Sequence, residues 1–381
     1  MQSVAVGWQI YEITKRPLDL GLAGLAQFLP GLLLFLVSGH AADRLDRRKL
    51  LIICYGGFAV CSGLLLATVL AGMRTIYPIY GVVVLLGIVR SFNAPVSRAI
   101  LTQTVPEEHL ANAIAWNSSV FQGATILGPS IGGLIYAITK GPAAVYLLSM
   151  LASTAAIFLT VQIKLRAAKP RPREPLSLKT VLAGLHYIRK KRIVLGSISL
   201  DLFAVMLGGA VALLPVYARE ILRTGPWGLG LLRASPGIGA GTMALLLAHR
   251  PLRGRAGATM LWCVAGFGVF TILFGISRSL ILSMVALLLV GAMDMVSVVI
   301  RATLVQIATP DEMRGRVNAV DMIFIGASNE VGQFESGLTA QWFGTVPAVV
   351  LGGIGALLVT ALWAWSFPEL RKVDQITSIE S

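Results

Sequence analysis

Four carboxylates in this sequence, Asp201, Asp294, Glu330 and Glu335, stand inside long stretches of otherwise apolar residues, with Arg90 and Arg233 as cations in similar settings. A carboxylate held in apolar matter changes protonation when its surroundings change, so each of the four suits coupling a conformational step to proton movement. The plainer role is static: Asp294 or Glu330 neutralises an arginine and does nothing more. Residue type and spacing leave both roles open. Arg90 is predicted to be the buried cation of the N-terminal half, set either to hold a nearby acid ionised or to meet an anionic ligand.

Other chemistries find little support. Cys54, Cys61 and Cys263 lie within apolar stretches without a CxxC pair, and His40, His109, His186 and His249 show no ligand spacing. Gly237, Gly239 and Gly241 alternate, but without the preceding strand and spacing of a nucleotide loop, and no GxxxxGK[ST] occurs. Neither a metal nor a cofactor is predicted.

Composition dictates the elements that carry these side chains. The 381 residues are 56 % hydrophobic and 13 % charged, with a mean hydropathy of +0.78. Soluble domains carry roughly 25 % charged residues, so a soluble enzyme, a disordered chain and a small disulfide scaffold are all excluded. A helix needs about 20 apolar residues to cross a bilayer. Runs free of charge and histidine cover residues 20–39, 50–73, 110–139, 141–163, 256–277 and 336–368. Runs with one charge cover 75–97, 193–218, 225–248 and 279–300, and the most polar, 317–340, holds Asp321, Glu330 and Glu335. Residues 1–13 are apolar but too short to cross. They lack a basic leader and contain Trp8, Gln9 and Tyr11, unlike a signal peptide. They are predicted to be a first helix truncated at its N-terminus.

The net charge of +14 is distributed by side. Alternating sides span by span places 21 Lys and Arg on one face of the membrane and seven on the other. The positive-inside rule assigns the richer side to the cytoplasm. The excess is therefore a topology and headgroup signal, and no nucleic-acid role is predicted. Residues 164–192 hold ten basic residues against Glu174 alone, with Pro170, Pro172 and Pro175. There Ser177 is placed to cap a helix whose Leu178, Val181, Leu182, Leu185 and Ile188 share one face, and an amphipathic helix on the inner leaflet is expected. Four segments result: an N-terminal bundle of about five and a half spans (1–163), a basic cytoplasmic linker (164–192), a C-terminal six-helix bundle (193–368) and a cytoplasmic tail (369–381).

The two halves echo one another. Arg98, Gln103, Pro106, Glu107, Glu108, Asn112 and Ala113 are matched in order by Arg301, Gln306, Pro310, Asp311, Glu312, Asn318 and Ala319. Each set is a span end, a tight loop with proline ahead of acids, and a new span. Both copies enter from the same side, so the repeat is parallel, an architecture found in secondary transporters.

Finer patterns carry a family resemblance. Gly39, Asp43, Arg44, Arg47, Arg48 and Lys49 resemble the cytoplasmic signature of the major facilitator superfamily, with Asp46 where glycine is usual. Leu86 to Arg90 is similar to its buried-arginine signature, and Gly123, Gly128, Pro129, Gly132 and Gly133 to its antiporter signature. In the C-terminal half Asp294, Val296, Ser297, Val299, Ile300, Arg301 and Gln306, then 309–317 and 328–337, are similar to the enterobactin-exporter (transmembrane secretion effector) branch.

The resemblance implies an all-α integral membrane protein with the major facilitator fold, two parallel-related six-helix bundles. It implies secondary active export of a small amphipathic molecule, siderophore or drug-like, by alternating access in exchange for protons. Its partners would be that small-molecule substrate, protons and membrane lipids, and it would work as a monomer without a cofactor. Its place would be a bacterial-type inner membrane, with both termini of the complete protein cytoplasmic. An uptake permease or uncoupled facilitator of the same fold is the alternative. A polytopic enzyme is disfavoured, since no His/Asp/Cys cluster gathers at one interface. Asp43 and Arg98 are expected to form a breakable cytoplasmic latch, with Gly39, Arg44, Arg47 and Arg48 around it. Arg301 holds the equivalent place in the second half, where the loop at 250–255 supplies no acid. The glycines around Pro129 are expected to act mechanically, by close packing or by bending.

Overall fold

The computed structural model describes residues 1–163, 178–250 and 254–371, and these are helical throughout, with no strand among them. Contacts divide the chain into two compact units, one of Met1–Lys15 and Leu25–Ser177, the other of Arg16–Gly24 and Leu178–Ser381. The residues 16–24 that open the second helix thus belong with the C-terminal unit. Gly21 explains why: a Cβ there would lie 2.8 Å from the Phe334 Cα, so two backbones meet where only a missing side chain permits it.

The N-terminal unit contains α1 (Gln2–Thr14), most of α2 (Pro17–Leu33), α3 (Phe35–Arg44), α4 (Arg47–Leu70), α5 (Tyr77–Thr104), α6 (Leu110–Thr139) and α7 (Ala143–Gln162). Lys15 adopts a left-handed conformation that stops α1, and Pro17 starts α2. The single run predicted at 20–39 is two helices, α2 and α3, bent by 55°. The break falls at Leu34, whose backbone leaves the helical region, four residues after Pro30, a helix-weakening residue in the last turn of α2. α1 is seated on α6 and α7, where the Tyr146 hydroxyl donates to Gln9 Oε1 and the Tyr136 hydroxyl to Glu12 Oε2.

The C-terminal unit contains α8 (Leu178–Lys190), α9 (Arg192–Gly208), a 3-10 turn (Ala210–Leu213), α10 (Leu214–Val216), a π turn (Tyr217–Ile221), α11 (Gly225–His249), α12 (Ala256–Ile276), α13 (Leu280–Ile307), α14 (Asp311–Phe343), α15 (Thr345–Ser366) and α16 (Pro368–Arg371). The run at 193–218 breaks at Gly209, whose carbonyl, released from the helix ladder, accepts from the Ser336 hydroxyl at 3.0 Å. Inside a membrane a freed carbonyl needs such a partner. Nine helices or continuous helical segments among the described residues are long and apolar enough to cross a membrane, and the bent α2–α3 pair adds one. α14 has the length, at 33 residues, but is too charged to pass the same test.

α8 forms where the amphipathic pattern places it, but its apolar face is spent on protein. Ile188 is fully buried with Val194, Val305, Val317 and Val320, and a Cβ on Gly184 would meet the Arg316 carbonyl. The Tyr187 hydroxyl donates to the Ala308 carbonyl at 2.7 Å. A 3.6-residue period shows that one face seeks apolar company and not whether protein or lipid supplies it. Leu182 alone of that face is left exposed among the described side chains. Ser177, the expected cap, lies outside the described residues.

Candidate functional site

A buried ion cluster joins three helices of the C-terminal unit. Arg301, near the end of α13 and 3 % exposed, reaches Asp321 Oδ1 on α14 at 2.7 Å and Asp201 Oδ2 on α9 at 3.3 Å. Each of its two terminal nitrogens thus meets a separate carboxylate, while its Nε is buried without a partner. A guanidinium is charged at any physiological pH, so enclosing one obliges the fold to supply acids beside it.

A third acid stands apart from this pairing. Asp294 lies two helical turns before Arg301 and has no hydrogen-bond or ion-pair partner among the described residues. One turn along the same face, Ser297 is 3 % exposed and its hydroxyl is also unpartnered. Both border a small cavity of about 10 Å³, lined also by Asp201, Ala204, Val205, Val264, Phe267 and Met293. That volume is close to the minimum for one water molecule. The cavity therefore puts a lone carboxylate, a lone hydroxyl and the outer acid of the Arg301 cluster around a space the size of one water.

The packing that holds this geometry is glycine-dependent. A Cβ on Gly291 would fall on the Pro236 carbonyl, and one on Gly239 on the Leu288 carbonyl. The close approach of α11 and α13 sets the height of Asp294 and Arg301. Gly237 to Gly241, which superficially resemble a nucleotide loop, belong to this helix seam.

The remaining predicted residues sit as follows. Glu330 and Glu335 are on α14, partly buried; Glu330 Oε2 accepts from Gln333 Nε2 at 2.9 Å, and Glu335 Oε1 from the Thr339 hydroxyl at 2.7 Å. Arg90, expected to be buried, is exposed on α5. An apolar run reports depth along a span, not which face of the helix the residue occupies. Arg301, read as a gate by its place in the repeat, draws its acids from α9 and α14 instead of from a loop. The side chain of Asp43, and the proposed latch to Arg98 with it, lies outside the described residues; Arg98 and Arg44 are exposed, and Gly39 and Arg48 are partly buried. Arg47 has a role that the signature did not suggest: its guanidinium donates to the carbonyls of Ala42 at 3.3 Å and Ala99 at 3.2 Å, tying the start of α4 to the end of α5. Asp46, the departure from glycine, caps α4 by accepting from the Arg48 and Lys49 amides. α6 runs unbroken through Pro129, and its glycine face is used for packing: a Cβ on Gly132 would lie 2.6 Å from Met1 Cα, and one on Gly128 3.3 Å from Met1 N. Gly133 is buried, whereas Gly123 faces open space.

Asp321 is the residue that sequence reasoning passed over as a partner. Arg301 stands eight residues before Thr309 and Asp321 twelve after it, so a tight turn there brings the two to comparable heights on neighbouring helices. That spacing was available in the sequence.

Comparisons with known proteins agree with this architecture. The sequence pattern of the family described as transmembrane secretion effector matches residues 1–381. The enterobactin exporters of Shigella boydii and Escherichia coli are each 28 % identical over 380 residues, covering 98 % of this chain and 89 % of theirs. Among solved structures, the nucleoside transporter NupG superposes with a TM-score of 0.71 at 13 % identity, covering 97 % of this chain and 96 % of its own. A D-xylose–proton symporter superposes with a TM-score of 0.69 at 14 % identity, covering 96 % and 95 %. The fold is that of the major facilitators, and the chain, a multi-pass membrane transporter and not an enzyme, belongs to the transmembrane secretion effector family and exports a small molecule.

Proposed function

We propose that this chain exports an amphipathic small molecule, siderophore-like or drug-like, by alternating access in exchange for protons, and that Asp294 carries the proton. The observation that supports the reading most is the unpartnered Asp294 beside a water-sized cavity shared with Asp201 and Ser297. Three acids and one guanidinium make a cluster with surplus negative charge when all are ionised. Buried charge of that kind costs several kcal/mol unless it is neutralised, and a proton on Asp294 is the smallest change that does so. With Asp294 neutral, Arg301 is shared by Asp201 and Asp321 as seen. With Asp294 ionised, a negative charge stands across the cavity from Asp201, and the pairing of Arg301 is biased to change. One water in the cavity, hydrogen-bonded to the Ser297 hydroxyl, would connect Asp294 to Asp201. Protonation is thereby coupled to how α9, α13 and α14 are held together.

The same reading places the chain in a bacterial-type inner membrane with both termini cytoplasmic, in keeping with the distribution of Lys and Arg. Asp201, Glu330 and Glu335 remain subsidiary acids in it. Gly39, Asp43, Arg44, Arg47, Arg48 and Arg98 form the cytoplasmic gate, and Arg301 belongs to the ion cluster.

The test uses everted membrane vesicles carrying the chain, an imposed inside-acid gradient and a panel of siderophores, macrolide-like amphiphiles and cationic dyes. Uphill accumulation of a transported compound should vanish when the gradient is collapsed. Asp294→Asn should lose uphill accumulation but retain downhill counterflow. Accumulation indifferent to the gradient, or uphill transport intact in Asp294→Asn, would overturn the coupling.

A further inference from the structure

Arg233 on α11 has no ion-pair or hydrogen-bond partner among the described residues, and its Nε is fully enclosed. Its neighbours on the helix, Leu229, Leu232 and Ala234, are buried to within 1 % of completely. The guanidinium does not titrate away under physiological conditions, and a half-buried cation without an ion pair is a liability for a membrane protein. A fold that retains one needs an anion to meet it.

The side chain best placed to meet it is held away. Glu330 on α14 acts on Arg233 electrostatically without closing to an ion pair. Its Oε2 is engaged by the Gln333 amide at 2.9 Å and lies against Gly24, where a Cβ would stand 3.1 Å from it. Three residues beyond Arg233, Pro236 interrupts the α11 ladder and leaves the Leu232 carbonyl without its helical donor. Arg233 therefore sits at a discontinuity in the helix with its fork of donors unspent and Glu330 engaged by Gln333.

Resting on the export reading above, we propose that Arg233 is an anion-binding residue for the exported molecule, recognising a carboxylate or another planar anionic oxygen group, with Glu330 as the internal carboxylate that competes for it. The fork of an arginine takes a carboxylate in two parallel hydrogen bonds, so the site selects both charge and shape. When the solute leaves, Glu330 can turn from Gln333 to the guanidinium, so the cation need not be stranded. The solute class that follows is an amphiphile with one anionic oxygen end. A neutral or cationic one would leave the charge unmet.

Binding can be measured apart from transport. The full chain is placed in nanodiscs of neutral lipid, and energy transfer from tryptophan is followed to dansyl-phenylalanine and to its methyl ester, which differ in one charge. Trp227, six residues before Arg233 on α11, lies about 9 Å away along the helix axis. The wild type should bind the acid at least tenfold more tightly than the ester. Arg233→Gln should remove that preference and leave ester binding in place, which also shows the variant to be folded, and Arg233→Lys should keep part of it. No preference for the acid in the wild type, or equal losses for acid and ester in Arg233→Gln, overturns the assignment. A second set of nanodiscs containing phosphatidylglycerol addresses a lipid headgroup as the anion. Competition by that lipid that disappears in Arg233→Gln would transfer the site from solute to lipid and overturn the proposal. A wild type that shows no acid preference yet transports against the gradient refutes only the role of Arg233, and a wild type that prefers the acid but ignores the gradient refutes only the proton coupling.

Discussion

Replacing Arg301 by methionine removes the one cation from a cluster that contains Asp201 and Asp321. The side chains involved are well enclosed, with exposures of 3 % for Arg301, 8 % for Asp201 and 17 % for Asp321, so solvent cannot take over the role of the guanidinium. Breaking a buried ion pair from one side typically costs 3–5 kcal/mol, roughly, because the stranded charge keeps its desolvation penalty. Two stranded acids put Arg301→Met at about 4 kcal/mol or more, unless one of them takes up a proton. Replacing the whole cluster at once (Asp201→Asn, Arg301→Met, Asp321→Asn) strands nothing, and such exchanges are often close to neutral. Reversible SDS unfolding of the full chain in mixed micelles reads both. The triple variant should recover most of the loss, within about 2 kcal/mol of wild type. An Arg301→Met variant within about 1 kcal/mol of wild type would mean the cluster is solvated in the membrane. A triple variant no better than Arg301→Met would mean that packing, not charge, was lost. Either result refutes the reasoning.

Two further perturbations bear on what holds the cluster in place. Gly291→Ala puts a methyl group onto the Pro236 carbonyl and should cost at least about 2 kcal/mol as α11 and α13 are forced apart, whereas Gly123→Ala, with no atom within 4 Å, should leave the same SDS midpoint unchanged. Tyr187→Phe removes the bond from α8 to the Ala308 carbonyl and should weaken docking of α8 by about 1 kcal/mol, read as faster amide exchange in that helix alone. Burial pushes the Tyr187 phenol above its usual value. A group whose value is raised on folding contributes stability below its unfolded value and loses it as pH rises, so the difference between Tyr187→Phe and wild type should persist through neutral pH and shrink only in alkali.

What the sequence made legible, and what it hid, divide along physical lines. The spans were readable because a bilayer demands long apolar runs, and the eleven runs find their counterparts in helices, even α14, whose acids defeat a simple hydropathy test. The bend at α2–α3 was hidden because the apolar pattern runs straight through Leu34; Pro30 was the available signal. The buried acids were recognisable from their apolar surroundings, but partner choice was not. Asp201 and Arg301 are one hundred residues apart, and the period of one helix does not fix its rotation against another. Arg90 illustrates the same gap from the other side: its run is as apolar as that around Arg301, yet one is exposed and the other enclosed. The glycine seams were readable only as a tendency to pack closely, because which backbone meets Gly239 or Gly291 is a property of the assembled helices.

The parallel repeat permits a sharper comparison, since the acids within α13 and α14 have counterparts fixed by the matching loops. Up to the loop the offset is 203 residues, from Arg98 to Arg301, and after it 206, from Asn112 to Asn318. Asp294 then answers to Ser91, Asp321 to Ala115, Glu330 to Ala124 and Glu335 to Pro129. These four carboxylates within α13 and α14 are thus matched by serine, alanine or proline in α5 and α6, whereas Asp311 and Glu312 in the first turn of α14 are matched by the acids Glu107 and Glu108. The arginine persists in both copies but with different surroundings: Arg301 is enclosed by Asp201 and Asp321, whereas Arg98 lies exposed and has Ala115 at the place matched to Asp321. In the N-terminal copy Gly128 and Gly132 of α6 are packed against Met1 at the start of α1. At the levels of Asp294, Asp321, Glu330 and Glu335 the matched spans of the N-terminal half offer Ser91, Ala115, Ala124 and Pro129, none of which can take up a proton at neutral pH.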